Sequence, residues 1–160
     1  DRAAALAALI HSGSQPHAQA ALTSFYTDFE NEALVVDKWF AMQAAAPTTD
    51  VQAVRQLMTH PAFTLKNPNR ARSLIFNFTN GNPSQFHAQD GSGYAFWAEQ
   101  VIALDALNPQ VAARLARSMD RWRRYVPALQ SPMRDALEKV AGQASLSNDV
   151  MEVVSKALAN

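Results

Sequence analysis

Cysteine is absent from the sequence. Its absence removes disulfide frameworks, thiolate metal sites and thiol nucleophiles, and it fits a reducing compartment, so a cytoplasmic location is the expectation. Excess charge is absent too: 14 Lys and Arg against 14 Asp and Glu leave a formal net charge of zero. Without a long-range field, neither nucleic acid nor an anionic membrane is favoured as a partner, although local patches stay open. No apolar run approaches the roughly 20 residues of a membrane-spanning helix, and no basic-then-apolar leader is visible.

Catalytic signatures are missing as well. A zinc peptidase helix needs two histidines at i and i+4 with a glutamate between them, and His11, His17, His60 and His87 have no mutual ligand spacing. No serine sits in a glycine-flanked nucleophile elbow. The loop Asp90-Gly91-Ser92-Gly93 lacks the Lys-Ser/Thr that follows a phosphate cradle and reads as a turn. Asn77-Phe78-Thr79 matches a glycosylation pattern but falls inside a predicted helix, so the match reads as accidental.

What is present is helix. With 160 residues, 48% of them apolar, the chain can bury one sizeable core, and a single domain over residues 1–160 is expected. It begins at Asp1 rather than Met, which suggests a piece of a longer polypeptide. Residues 1–12 read as a short helix stopped at Ser12-Gly13. Over 16–30, Leu22, Phe25, Tyr26 and Phe29 fall at i, i+3, i+4 and i+7. Over 32–46, Leu34, Val35, Val36, Trp39, Phe40 and Met42 surround the axis and predict an inner helix. Thr49 and Gln52 have the form of a capping box for a helix over 50–59.

The next stretch, Lys66 to Tyr94, holds an unusual density of turn formers, amides and aromatics. Asn67-Pro68 marks a helix start, because Asn67 can accept from a free amide of the first turn and Pro68 has no amide to leave unpaired. Arg70 and Arg72 ride on that first turn and a half, and the helix is expected to end at Asn80-Gly81, with a helical turn from Asn82-Pro83. Phe76, Phe78, Phe86, Phe96 and Trp97 are at core spacing. From Ser92, the residues Tyr94, Trp97, Val101, Leu104 and Leu107 trace a helical face.

Asn108-Pro109 repeats the cap-plus-proline start, for a helix expected to run to about Arg124. Pro127 and Pro132 leave the next start open, while Met133, Ala136, Leu137 and Val140 form its stripe up to Gly142. In the last segment Ser147 can cap, Leu146 and Met151 are placed for a hydrophobic staple, and Val150, Val154 and Leu158 supply the buried face. No strand is predicted. Eight or nine short helices with short turns predict an all-α fold of antiparallel helix pairs in a curved superhelix, an α-solenoid of the HEAT or armadillo sort, with a compact irregular bundle as the alternative.

Projected at about 100° per residue, Val111, Leu115, Met119 and Trp122 fall on one side of the Asn108 helix, and Gln110, Arg114, Arg117 and Arg121 on the other. This cationic ridge is either a solvated outer face or a binding surface. Arg121, Trp122, Arg123, Arg124 and Tyr125 also mix cations with aromatics as nucleic-acid surfaces do, a reading that demands steeply salt-dependent binding.

Four blocks in order carry a resemblance: Asn67-Pro68-Asn69-Arg70-Ala71-Arg72-Ser73-Leu74-Ile75; Asn82-Pro83 with Phe86-His87-Ala88; Asp90-Gly91-Ser92-Gly93-Tyr94; and Asn108-Pro109-Gln110-Val111-Ala112 with Arg114-Leu115. Together they resemble the C-terminal domain of bacterial aminopeptidase N, a zinc-dependent, thermolysin-like exopeptidase family. The resemblance covers essentially the whole chain. It implies a helical superhelix that caps a catalytic domain and encloses its active site. The zinc helix and the Gly-x-Met-Glu-Asn motif of the family lie upstream and are not in this sequence. The resemblance therefore implies no catalytic residue and no metal ligand here, zinc in the catalytic domain of the parent enzyme, and an inactive fragment. As partners it implies the catalytic and N-terminal domains of the same polypeptide and a peptide substrate. It also implies that Arg72, Gln110 and Arg114 face the cavity near substrate residues beyond the cleaved bond. A free-standing helical-repeat module that binds a peptide or protein on its concave face is the competing expectation.

Overall fold

The computed structural model describes residues 1–13 and 15–159. Among them every regular element is helical and no strand occurs, as the periodicity predicts. The chain divides into two compact units, Asp1–Gln85 and Phe86–Asn160.

The first unit is organised on α3 (Ala33–Ala44), against which α1 (Arg2–His11) and α2 (Gln15–Phe29) pack. Phe40 and Ala44 are fully buried, and the Trp39 indole donates to the Leu22 carbonyl at 2.9 Å. Leu34 corrects the expected apolar wrap, being 74% exposed in the first turn of α3. α4 (Val51–Met58) is capped by Asp50, whose carboxylate accepts from the Ala53 amide at 2.9 Å. The cap is thus one residue later than the Thr49 box predicts.

After α4 the chain enters a helix whose middle turn is widened. α5 (Pro68–Ala71) starts as predicted, with the Asn67 side chain accepting from the Asn69 and Arg70 amides. It passes into a π turn over Arg72–Phe76 and then α6 (Asn77–Gly81). A π turn shifts backbone pairing by one residue and frees carbonyls. The Asn77 amide answers two of them, donating to Ser73 at 3.0 Å and Arg72 at 3.4 Å. The fully buried Leu74, Ile75 and Phe78 press this widened helix onto α3. Asn82, 1% exposed, sets its amide nitrogen within 2.8–3.0 Å of the Ala44, Ala46 and Thr49 carbonyls, and α7 (Pro83–Phe86) follows.

In the second unit α8 (Ser92–Asp105) packs on α9 (Pro109–Ala116) and α10 (Pro127–Ala141), and each of these packs on α11 (Asn148–Ala159). α8 is buried nearly all round: Tyr94, Phe96, Trp97, Ala98 and Val101 are fully buried. Leu107, placed with that face by spacing, is 47% exposed because the helix ends at Asp105. Truncating a core aromatic here costs about 3–5 kcal/mol. Two indoles fix neighbours, Trp97 donating to Leu115 and Trp122 to Ala157, both at 2.9 Å. Gly93 permits the closest approach, since a Cβ there would lie 2.0 Å from the Phe86 carbonyl oxygen.

The expected helix to Arg124 does not form. α9 stops at Ala116, a 3₁₀ turn covers Arg117–Met119, and Arg121 leaves helical geometry at φ −104°, ψ 24° before a second 3₁₀ turn, Trp122–Arg124. Trp122, at the start of that second turn, is buried. Pro127 takes the first position of α10, and Pro132 is tolerated inside that helix. The stripe Met133, Ala136, Leu137 and Val140 is buried as predicted. Ser147 caps α11, accepting from Val150. Val150, Val153, Val154 and Ala157 are the buried face there, while Leu158 is half-buried and Met151 is 36% exposed.

Candidate functional site

The three predicted site residues lie on two elements, Arg72 on the π turn and Gln110 and Arg114 on α9. α9 is built to present two of them. Asn108 accepts from the Val111 amide at 3.3 Å and Pro109 fills the first helical position, so the helix begins at a defined residue. Val111, Ala112, Leu115 and Ala116 are buried and fix the helix's rotation, which leaves Gln110 and Arg114 exposed on the opposite side. Both line one groove of about 520 Å³, together with Ala113 and Arg117 from the same wall and Asp149 and Glu152 from α11. Among the described residues neither the Gln110 amide nor the Arg114 guanidinium has a hydrogen-bond or ion-pair partner.

The groove is therefore bipolar, with guanidinium groups on the α9 wall and carboxylates on the α11 wall. Glu152 is held by Lys156 at 2.9 Å, and that hydrogen bond, the Lys156 charge and more distantly Arg117 lower its pKa. Asp120, nearby on the α9 side, is pushed upward by burial against the opposing pull of Arg117 and Arg121. Such a groove can hold a peptide: arginine pairs with a carbonyl or carboxylate, and glutamine both donates and accepts along a backbone. Arg121, projected onto the same ridge, does not line this groove, because the break after Met119 redirects it.

Arg72, the third residue, lies in the first unit at the opening position of the π turn. It is half-buried, its Nη1 reaches Asn69 at 3.4 Å, and its Nε is buried with no partner. Arg70, two residues earlier, has a different role. It donates through Nε to Asp37 at 2.5 Å and through Nη1 to the Ala62 carbonyl, and it lies 5.5 Å over the Phe40 ring. Arg70 is structural, whereas Arg72 keeps unspent donor capacity.

In the mixed cation and aromatic run after Arg121, Trp122, Arg123 and Tyr125 are engaged internally. Arg123 donates to the Ala157 and Leu158 carbonyls at 2.8 and 2.9 Å, capping α11 where its dipole favours a cation. Tyr125 stacks on His87 at 4.6 Å. The His87 Nδ1 is 2.7 Å from the Tyr94 hydroxyl. Burial, with Tyr125 adding to it, pushes the Tyr94 phenol up to about 12, and burial lowers the pKa of His87.

Sequence reasoning missed two features of the site. The acidic wall, Asp149 and Glu152, carries the only available signal in their spacing of three along one helix, which does not say what they face. The π turn at Arg72 has no local sequence signature. For a metal, the described residues offer no group of three or more His, Asp or Glu side chains that could hold one.

The family model described as a domain of unknown function, DUF3458_C, of ARM repeats matches residues 1–159. The chain belongs to this ARM-repeat family. The helical-repeat class expected from the sequence is thereby shown. This family member is 44% identical to aminopeptidase N of Caulobacter vibrioides over 151 residues, 94% of the chain and 17% of the relative. It is 44% identical to aminopeptidase N of Escherichia coli over 160 residues, 99% of the chain and 18% of the relative. The crystal structure of Legionella pneumophila aminopeptidase A in complex with aspartic acid superposes with a TM-score of 0.91 at 34% identity, covering 98% of this chain and 18% of that one. The chain thus spans less than a fifth of the length of its aminopeptidase relatives. The resemblance to aminopeptidase N read from the four sequence blocks holds.

Proposed function

We propose that this chain is the C-terminal cap domain of a zinc metallo-aminopeptidase, a single functional module without catalytic groups of its own. In this reading it encloses the active-site cavity of the parent enzyme and positions peptide substrates for removal of N-terminal residues. The observation that carries the reading is the likeness to aminopeptidase N along 94–99% of the chain. The unpartnered Gln110 and Arg114 in one groove, and the unpartnered Nε of Arg72, support a substrate-holding role. Arg114 would grip a peptide carbonyl or terminal carboxylate, Gln110 would bond the substrate backbone beside the N-terminus of α9, and Arg72 would add a further cation. These contacts position substrate and move no proton.

In the full-length enzyme, Arg114→Ala is expected to lower kcat/KM, mainly through KM, by roughly 10-fold or more, as loss of a charged hydrogen bond of about 1.5–3 kcal/mol requires. Zinc content is expected to stay unchanged, and the isolated chain to hydrolyse no peptide. Unchanged kinetics across a peptide series would remove Arg114 from the site. A free-standing peptide-binding module would instead bind peptide without any peptidase partner.

A further inference from the structure

A cavity of the first unit lies away from Arg72, Gln110 and Arg114. About 610 Å³ in volume, it is bounded by α1, α2, α3 and α4 and closed by His60. That volume is within the usual small-molecule range of about 300–1,000 Å³. Its floor is apolar, from Ile10, Leu22 and Leu57, and one wall is aromatic. Tyr26 and His60 meet edge to face at 4.6 Å, and Trp39 lies 5.0 Å from Tyr26 and 5.1 Å from His60.

The polar groups of the cavity are all neutral. Among the described residues that line it there is no carboxylate, ammonium or guanidinium. His60 accepts from the Ala62 amide at its Nδ1, 3.0 Å away, so the neutral ring carries its proton on Nε2. Burial, and then the charge of Arg70, keep its pKa below the ordinary value. The Trp39 N–H is committed to Leu22, so its indole offers only ring surface. At the rim, the side-chain amides of Gln15, Gln19 and Gln56 and the Tyr26 hydroxyl have no hydrogen-bond partner among the described residues.

An ion entering this site would lose water and meet no counter-charge. A neutral ring flanked by amides would lose little, since the aromatic wall replaces its hydration and glutamines replace its hydrogen bonds. We propose that this cavity is a binding site for a small uncharged aromatic amide, its ring against Trp39 and His60 and its amide groups on Gln15, Gln19 and Gln56. The proposal is independent of the aminopeptidase reading, and its failure would leave that reading untouched.

Saturation-transfer NMR on the full-length protein carrying this chain tests it, with N-acetyl-phenylalaninamide as probe and N-acetyl-phenylalanine, which differs by its carboxylate, as comparator. The expected result is saturable binding of the amide, at least 10-fold weaker binding of the anion, and at least 10-fold loss of amide binding in both Gln19→Trp and Leu57→Trp. Gln19 is exposed on α2, so its substitution fills the mouth of the cavity without disturbing the core. Equal binding of amide and anion, binding unaffected by either variant, or no amide binding at millimolar concentration would overturn the proposal.

Discussion

Asp105 accepts two hydrogen bonds from Ser147, from the backbone amide at 2.8 Å and from the hydroxyl at 2.5 Å. A carboxylate as the last residue of α8 is opposed by the helix dipole, so its position there is explained by what it holds, the start of α11. Asp105→Ala is expected to destabilise the protein by about 2–3 kcal/mol, because the half-buried amide and hydroxyl of Ser147 lose a charged acceptor. Ser147→Ala should cost about 0.5–2 kcal/mol as a lost cap. In urea denaturation the double variant is expected to lose less than the two single losses added together, the signature of one shared interaction.

A second prediction concerns Arg70 and Asp37, whose side chains are 9% and 15% exposed. Removing one partner of such a pair leaves the other charge uncompensated, at a cost of about 3–5 kcal/mol. Arg70→Lys is expected to recover little of it, because Nε and Nη1 serve two different acceptors in a fixed plane that an ammonium cannot reproduce. Chemical denaturation of Arg70→Ala, Arg70→Lys and Asp37→Ala gives the comparison.

Gly93 is expected to tolerate no side chain. A methyl group 2.0 Å from the Phe86 carbonyl oxygen must move backbone on either side, and Gly93→Ala should lose more than about 4 kcal/mol, among the largest single-residue effects. Gly81→Ala is the control. Its Cβ would meet only ordinary contacts, the nearest at 3.7 Å, and it is expected to be neutral or to stabilise by up to about 1 kcal/mol. Thermal denaturation of the two variants separates close approach from the general effect of adding a methyl group.

The two perturbed histidines set a pH dependence. Both His60 and His87 have a folded pKa below the unfolded value of 6.5, so the folded chain binds fewer protons than the unfolded one in that range. Their contribution to stability is complete above pH 6.5 and is lost as pH falls through the lower folded values. Urea midpoints are expected to drop between pH 7 and pH 5. His60→Gln and His87→Gln should each flatten that slope, and a slope unchanged in both would assign it to other groups.

What the sequence disclosed was local. Asn67-Pro68 and Asn108-Pro109 mark helix starts because cap and first turn lie within three residues, and both helices begin there. The stripe in α10 was equally plain despite Pro132, since four buried residues at helical spacing outweigh one missing amide. Arg70 and Arg72 were not separable in this way. They are about 200° apart around the helix, and only Asp37, 33 residues earlier, determines which becomes structural. The break at Arg121 is likewise a tertiary outcome, because propensity alone favours helix there while the Trp122 indole is bonded to Ala157. Gln110 and Arg114 were legible from the helical projection. The facing carboxylates of Asp149 and Glu152 were not, since nothing in the sequence places α11 beside α9.

The amide of Asn82 bears on how the first unit opens. One planar group answers the carbonyls of Ala44, Ala46 and Thr49, and Gln85 adds a bond to Pro47 at 2.8 Å. The end of α3 and the turn after it therefore have no complete hydrogen bonding until the chain more than thirty residues later is in place. The two stretches are expected to open as one cooperative unit in hydrogen exchange, since a fluctuation that frees residues 45–49 must also expel Asn82. The Thr49 and Asn82 amides are expected to share a single protection class, separated in sequence but lost in one event.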